Sequence, residues 1–340
     1  MRKALACAVT IAAVLQLSTA SAQTAKEWDD VIAAAKREGQ VIVYTAYISK
    51  NTHEPIAKAF EKKYGIQINY LAARGSELRE RIRAEQAAGR FIGDVMHHAL
   101  ATTVTWGMEE KVIQPHGGLP NTPRLNANFK KVADQFQVPI FTINYGFLVN
   151  TRMVKQEDQP RRWADLLDPK WQGKLLADDP RAGGGGGVMF RMTYEKYGRE
   201  FHDKLATQKP VFGRDYSILA RRVAQGEFPI YYPYILSDYT NVRGLPVKYI
   251  VPEDGVTYGS YAASILNKPP HPNAARLLAD FYLSDEVQAI YAREAHGIVV
   301  ESLSEKVSPE IEALMNAKQL TGEDFKRIDE MYDLAKQIYK

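Results

Sequence analysis

A two-lobed α/β protein joined by two crossing strands is the fold this sequence predicts, and three observations predict it. Apolar runs rich in β-branched and aromatic residues alternate with segments whose apolar positions recur every three or four residues. That alternation is the signature of a parallel sheet covered by helices. The chain has 340 residues, beyond the size at which one core usually stops growing, so two lobes are the default. Two long, charge-poor runs, at 137–151 and 258–267, break the alternation and mark where the chain is expected to cross between lobes.

The elements follow in order. Residues 1–22 have the parts of a secretory leader: Arg2 and Lys3, an apolar stretch from Ala4 to Leu17, then Ala20-Ser21-Ala22 before Gln23. The stretch is shorter than the roughly 18 residues a membrane span needs, so cleavage and export of a soluble protein are expected. Loss of Arg2 and Lys3 would bring the formal charge from +4 to +2. Nothing then points to nucleic acid, which needs a concentrated basic face. The one cysteine, Cys7, falls in the leader, so disulfides, thiol catalysis and cysteine metal sites are not expected.

Trp28 to Arg37 has a helical pattern stopped by Gly39, and VIVYTAY (41–47) is the first strand. Ile56, Ala57, Phe60 and Tyr64 recur at helical spacing before Gly65, and IQINYL (66–71) is the second strand. A helix over 77–88 and a short strand at 92–96 continue the repeat. After the first crossing run come a short helix at Trp163 to Leu167, the strand LLADD, a glycine run and a helix to Gly198. VFGRD, SILARRVAQGE and FPIYYPYIL supply a further strand, helix and strand. A helix at 272–283 and a helical tail with Ile311, Leu314, Phe325, Ile328, Met331 and Leu334 as its apolar stripe complete the chain. The expected division is 23–145 with 257–300 in one lobe, and 146–256 with 301–340 in the other.

The run Gly183 to Gly187 is the most specific local feature, because it sits between a strand and a helix. Glycine lets a ligand approach the backbone, and a helix N-terminus presents unpaired N–H groups and a partial positive charge. Gly184 and Gly185 are therefore candidates for an anion cradle, with Arg181 adding a charged contact. A plain flexible loop is the alternative. No Gly-Lys-Ser/Thr follows, and the glycines lack the spacing of a dinucleotide fingerprint, so neither an NTPase nor a nicotinamide enzyme is indicated. There is likewise no nucleophile elbow. The chain is expected not to be an enzyme, with no metal and no cofactor.

In their order and spacing, VIVYTAY, IAKAFEKKYGI, RGSELRERIRAEQAAGRFIGDV, WADLLDPKWQGKLLADDPRAGG and HPNAARLLADFYLSDEVQAIYA resemble the type II periplasmic solute-binding proteins of ABC importers. The group in question serves ferric iron, aminoalkylphosphonates, polyamines and thiamine. The resemblance covers nearly all the chain after the leader. It implies two α/β lobes on a two-strand hinge, a solute trapped in the cleft, and a cognate permease in the inner membrane. A monomer is expected, and a sensory solute receptor is an open alternative.

Ligands of open α/β sheets sit beyond the strand ends, which selects the loops carrying Tyr47, Arg74, Ser76, His98, the glycine run, Arg214, Asp215 and Tyr234. Arg74 offers a guanidinium fork, while Ser76 is equally a helix cap. His97 and His98 alternate on a strand, so one is expected to pack and the other to face the cleft. Tyr44, Tyr47, Tyr234 and Tyr258 are candidate aromatic walls that would suit an ammonium group. Together these favour an organic anion or a zwitterion. For ferric iron, the resemblance implies a Tyr-Tyr pair about ten residues after a Gly-Glu. Here Gly226-Glu227 is followed at those positions by Leu236 and Ser237, and Tyr231 and Tyr232 come earlier, inside a strand. The other expected iron positions hold Ile48 and Ala99.

Overall fold

The computed structural model describes residues 26–340 except 48, 74, 103–105, 304–305 and 322–326. The expected leader, Arg74 and Phe325 thus lie outside the described residues. In chain order the helices are α1 (26–38), α2 (Lys50–Tyr64), α3 (Gly75–Ala87), α4 (Gly185–Thr207), α5 (Tyr216–Ala224), α6 (Pro272–Phe281), α7 (Asp285–Arg293), α8 (Pro309–Met315) and α9 (Ile328–Ile338), beside shorter turns. The strands are β1 (Gln40–Thr45), β2 (Gln67–Ala72), β3 (Val95–Ala99), β4 (Ile113–Gln114), β5 (Val138–Asn150), β6 (Leu175–Asp178), β7 (Val211–Gly213), β8 (Ile230–Ile235), β9 (Val247–Ile250) and β10 (Thr257–Leu266).

They form one mixed sheet in the order β2-β1-β3-β10-β5-β8-β6-β7, with β4 on β10 and β9 on β5. Two parallel triplets, β2-β1-β3 and β8-β6-β7, flank the antiparallel pair β5 and β10. The two charge-poor runs of the sequence are therefore these central strands, and the fold is the expected two-lobed α/β arrangement. Every residue of β5 is buried, which explains its continuous apolar run.

Local chemistry sets the boundaries. Gly65 ends α2 in the left-handed conformation at φ 73°, its N–H donating to the Glu61 carbonyl. The strand expected at 92–96 begins instead at Val95, because Asp94 is fully buried and fixes the preceding turn. Its carboxylate accepts the backbone N–H groups of Ile42 and His271, each at 2.7 Å. The helix expected to stop at Gly198 kinks there, with φ 74°, and resumes to Thr207. Phe201, His202 and Leu205 are buried on the resumed segment, and that burial holds it in place.

The C-terminal tail returns across the middle of the molecule. Val256, one residue before β10, receives the Leu320 N–H at 2.9 Å and donates to the Lys318 carbonyl at 2.7 Å. Asn144 of β5 donates to the Leu314 carbonyl at 3.2 Å. Helix α9 then packs on α4 through Met331, Ala335 and Tyr339 against Phe190. The Tyr339 hydroxyl bonds His202 Nδ1 at 2.8 Å.

Candidate functional site

Strands β1, β2 and β3 end on one side of the central pair, and β6, β7 and β8 on the other, so their following loops face a common crevice. The glycine run follows β6. It does start a helix, but the first amides are already engaged from within the protein. Gly186 N–H donates to Asp178 Oδ2 at 2.6 Å, and Gly185 N–H to the Tyr216 hydroxyl at 3.1 Å. Burial raises the Asp178 carboxyl to about 6, although bonds from the Gly186 and Asp179 amides and from Tyr216 pull it down. The carboxylate of the preceding strand thus takes the place expected for a bound anion.

Space alone already requires glycine here. A Cβ on Gly186 would lie 2.5 Å from the Asp178 carbonyl oxygen, and one on Gly185 2.6 Å from the Tyr145 ring. Gly184 adopts φ 135°, which only glycine accepts readily.

Arg181 points away from this group. Its guanidinium forks onto Asp179, at 2.8 and 3.0 Å, donates to the Tyr339 carbonyl at 3.2 Å and covers the Phe212 ring at 5.0 Å. The expectation that it contacts the solute is corrected: Asp179 lies two residues away and captures it. Asp215 caps α5, its Oδ1 accepting the Ile218 N–H at 2.9 Å, and Arg214 is exposed. Ser76 is exposed in the first turn of α3. His98 is buried with its ring near Gly75, and burial lowers it to about 4. It was expected to face the cleft, and it packs beside α3 instead.

The aromatic wall is built on alternation. In β10, Tyr258 lies over Phe129 and lines a separate cavity of about 490 Å³ with Gln319 and Thr321. Tyr261, three residues on, faces the opposite way and meets Tyr47 edge-on at 5.5 Å, while stacking on Phe141 at 4.9 Å. Tyr258 and Tyr261 therefore take opposite faces of the strand, since an odd spacing reverses the face. Tyr44 is buried and bonds Glu85 at 2.8 Å, so it is no wall either. Tyr145 of β5 stands between the two halves. Burial raises its hydroxyl far above the ordinary value, and Tyr216, Tyr261 and Asp178 lift it further. Tyr231 and Tyr232 fall in different core clusters on opposite faces of β8, so they do not present adjacent phenol donors.

Tyr47 is held by histidines that carry no charge. Its hydroxyl lies 2.6 Å from His296 Nε2. Burial lowers His53 to about 4 and His296 to about 3, and drives His97 well below its usual value. Thr45 Oγ1 donates to the Tyr47 carbonyl at 3.0 Å and lies 3.1 Å from His97 Nδ1. The hydroxyl also accepts the Tyr47 N–H at 3.1 Å, which ties the ring and the loop together. Tyr47 and Tyr234 were legible as candidates. Tyr145, Tyr216, Tyr261, Asp178 and His296 were not singled out, and only the strand alternation signalled any of them.

The arrangement is that of a two-lobed α/β protein in which strand-end loops from two halves lie on either side of two shared strands. The matching family model describes a bacterial extracellular solute-binding protein over residues 101–325, and the chain belongs to that family. An uncharacterised protein of Haemophilus influenzae is 22% identical over 289 residues, covering 79% of this chain and 80% of its own. The iron-bound HitA structure from Pseudomonas aeruginosa is 19% identical with a TM-score of 0.70, covering 88% of this chain and 99% of its own. AfuA from Actinobacillus pleuropneumoniae, solved with exogenous fructose-6-phosphate, is 22% identical with a TM-score of 0.66, covering 88% and 96%. These structures share the two-lobed fold.

Proposed function

We propose that this protein is the periplasmic solute-binding component of an ABC importer and that its cleft closes on one small zwitterionic or anionic organic solute. The convergence of half-buried Tyr47 and Tyr261 with Tyr216 and Asp178 between the two halves carries this reading. Aromatic faces with hydrogen-bonding tips grip a solute without transforming it, and the two-strand connection lets the halves close around it.

A zwitterion fits better than a plain anion, since Asp178 and Tyr216 occupy the Gly186 and Gly185 amides and Asp178 adds negative charge. The acidic end is assigned to the first turn of α3, with Ser76 and Arg74 as its contacts. The lobes are assigned as 23–145 with 257–300 and 146–256 with 301–340. Packing of α9 on α4 supports the second grouping.

A thermal-shift screen of the leaderless protein tests this, using aminophosphonates, sugar phosphates, carboxylates, polyamines, thiamine and ferric citrate. A solute at a hundredfold excess over its Kd should stabilise by about 2.7 kcal/mol. A shift with ferric citrate alone would overturn the organic-solute reading. Solute uptake that survives deletion of the permease would assign the protein to sensing instead.

A further inference from the structure

A cavity of about 370 Å³ lies beside the cleft, between α5 and the 3-10 turn Leu236–Val242. Tyr216, Tyr234, Asp238, Asn241 and the exposed Arg221 line it. Tyr234 is 1% exposed, yet its hydroxyl has no hydrogen-bond partner among the described residues. An unpaired buried hydroxyl is costly unless something enters to satisfy it.

Asp238 shares the cavity with Tyr234. It is half-buried, and burial raises its carboxyl to about 6. Its charge is felt by Tyr231 and Tyr234 within its own half, and by Tyr47 on the opposite side of the cleft. Arg221 is not among the groups that influence it. A carboxylate that both halves sense and that forms no ion pair among the described residues is complementary to a cation. Phenol rings on two sides suit an ammonium, and the Tyr234 oxygen can accept one of its three N–H bonds.

We infer that this cavity is an amine subsite of the solute cleft, in which Asp238 takes a primary ammonium group while Tyr234 accepts a hydrogen bond from it. The inference rests on the reading of the cleft as a solute site and adds the chemistry of one end of the solute.

Two measurements test it. Propylammonium chloride, titrated to about 100 mM to cover weak millimolar affinities, should move the ring signals of Tyr234 in NMR spectra of the leaderless wild-type protein. The shift should be absent in Asp238→Asn and weakened severalfold in Tyr234→Phe, both checked for folding by their melting curves. Titration of matched pairs follows: β-alanine against propionate, and aminoethyl phosphate against ethyl phosphate. The amine-bearing member should bind wild type at least tenfold more tightly, and Asp238→Asn should erase that advantage while leaving the other member within about twofold. No Tyr234 shift with propylammonium, or an equal loss for both members of a pair, overturns the subsite. Failure of the importer reading looks different: the propylammonium shift persists while no solute in the wider screen stabilises the protein.

Discussion

Asp178 accepts the backbone N–H of Gly186 at 2.6 Å, so the glycine-rich helix is capped by a carboxylate from the strand before it. Burial holds that carboxyl at about 6, above the usual carboxylate range near 4. Between those values the folded chain holds the proton more tightly than the unfolded chain, so this residue costs stability as pH rises from about 4 to about 6. Asp178→Asn removes the cost. The variant's stability relative to wild type should rise by up to about 3 kcal/mol between pH 4 and pH 7. Parallel melts across that range check it, and a constant difference between the two proteins would show that Asp178 does not titrate there.

The five glycines should differ sharply in tolerance. Alanine at Gly186 would place its Cβ 2.5 Å from one backbone oxygen and 2.6 Å from the Asp179 carbonyl carbon, where no side chain can move aside. A loss of about 2–3 kcal/mol is expected. At Gly183 the nearest atom is the Tyr332 hydroxyl at 3.6 Å, and alanine should change stability by no more than about 0.5 kcal/mol. Urea denaturation of the two variants checks the contrast. Equal losses would mean the loop is constrained by something other than this packing.

Arg181→Ala should weaken the protein and spare the solute. The guanidinium is about one-third exposed, so its ion pair with Asp179 is screened. With the lost Tyr339 carbonyl bond, the cost should be about 1–2 kcal/mol. Calorimetry should show solute affinity within about twofold of wild type. A tenfold loss of affinity at unchanged stability would return Arg181 to the cleft.

These contrasts follow what local sequence carries. The alternation of strands and helices and the two crossing runs were legible because hydrophobic period and charge are properties of each segment. The glycine helix was legible for the same reason. Its occupant was not, because nothing in Asp178-Asp179-Pro180-Arg181 says which acidic side chain turns inward and which pairs with the arginine. Asp94 likewise moves the start of β3 through His271, far along the chain. Tyr258 was the candidate and Tyr261 was passed over, because only the register of β10 against β3 and β5 fixes which face each takes.

That register yields the last prediction. Tyr261 meets Tyr47 at the cleft, whereas Tyr258 lies over Phe129 on the reverse side of the strand. Tyr261→Phe keeps the ring and its stacking on Phe141 but removes the hydroxyl tip. If that tip bonds the solute, affinity should fall about fivefold to tenfold, the scale of one neutral hydrogen bond of about 1 kcal/mol. Tyr258→Phe should leave affinity unchanged. Calorimetric titration of both variants with the solute found in the thermal-shift screen decides between the faces. A loss confined to Tyr258→Phe would place the binding surface on the Phe129 side and remove Tyr47 and Tyr261 from the site together.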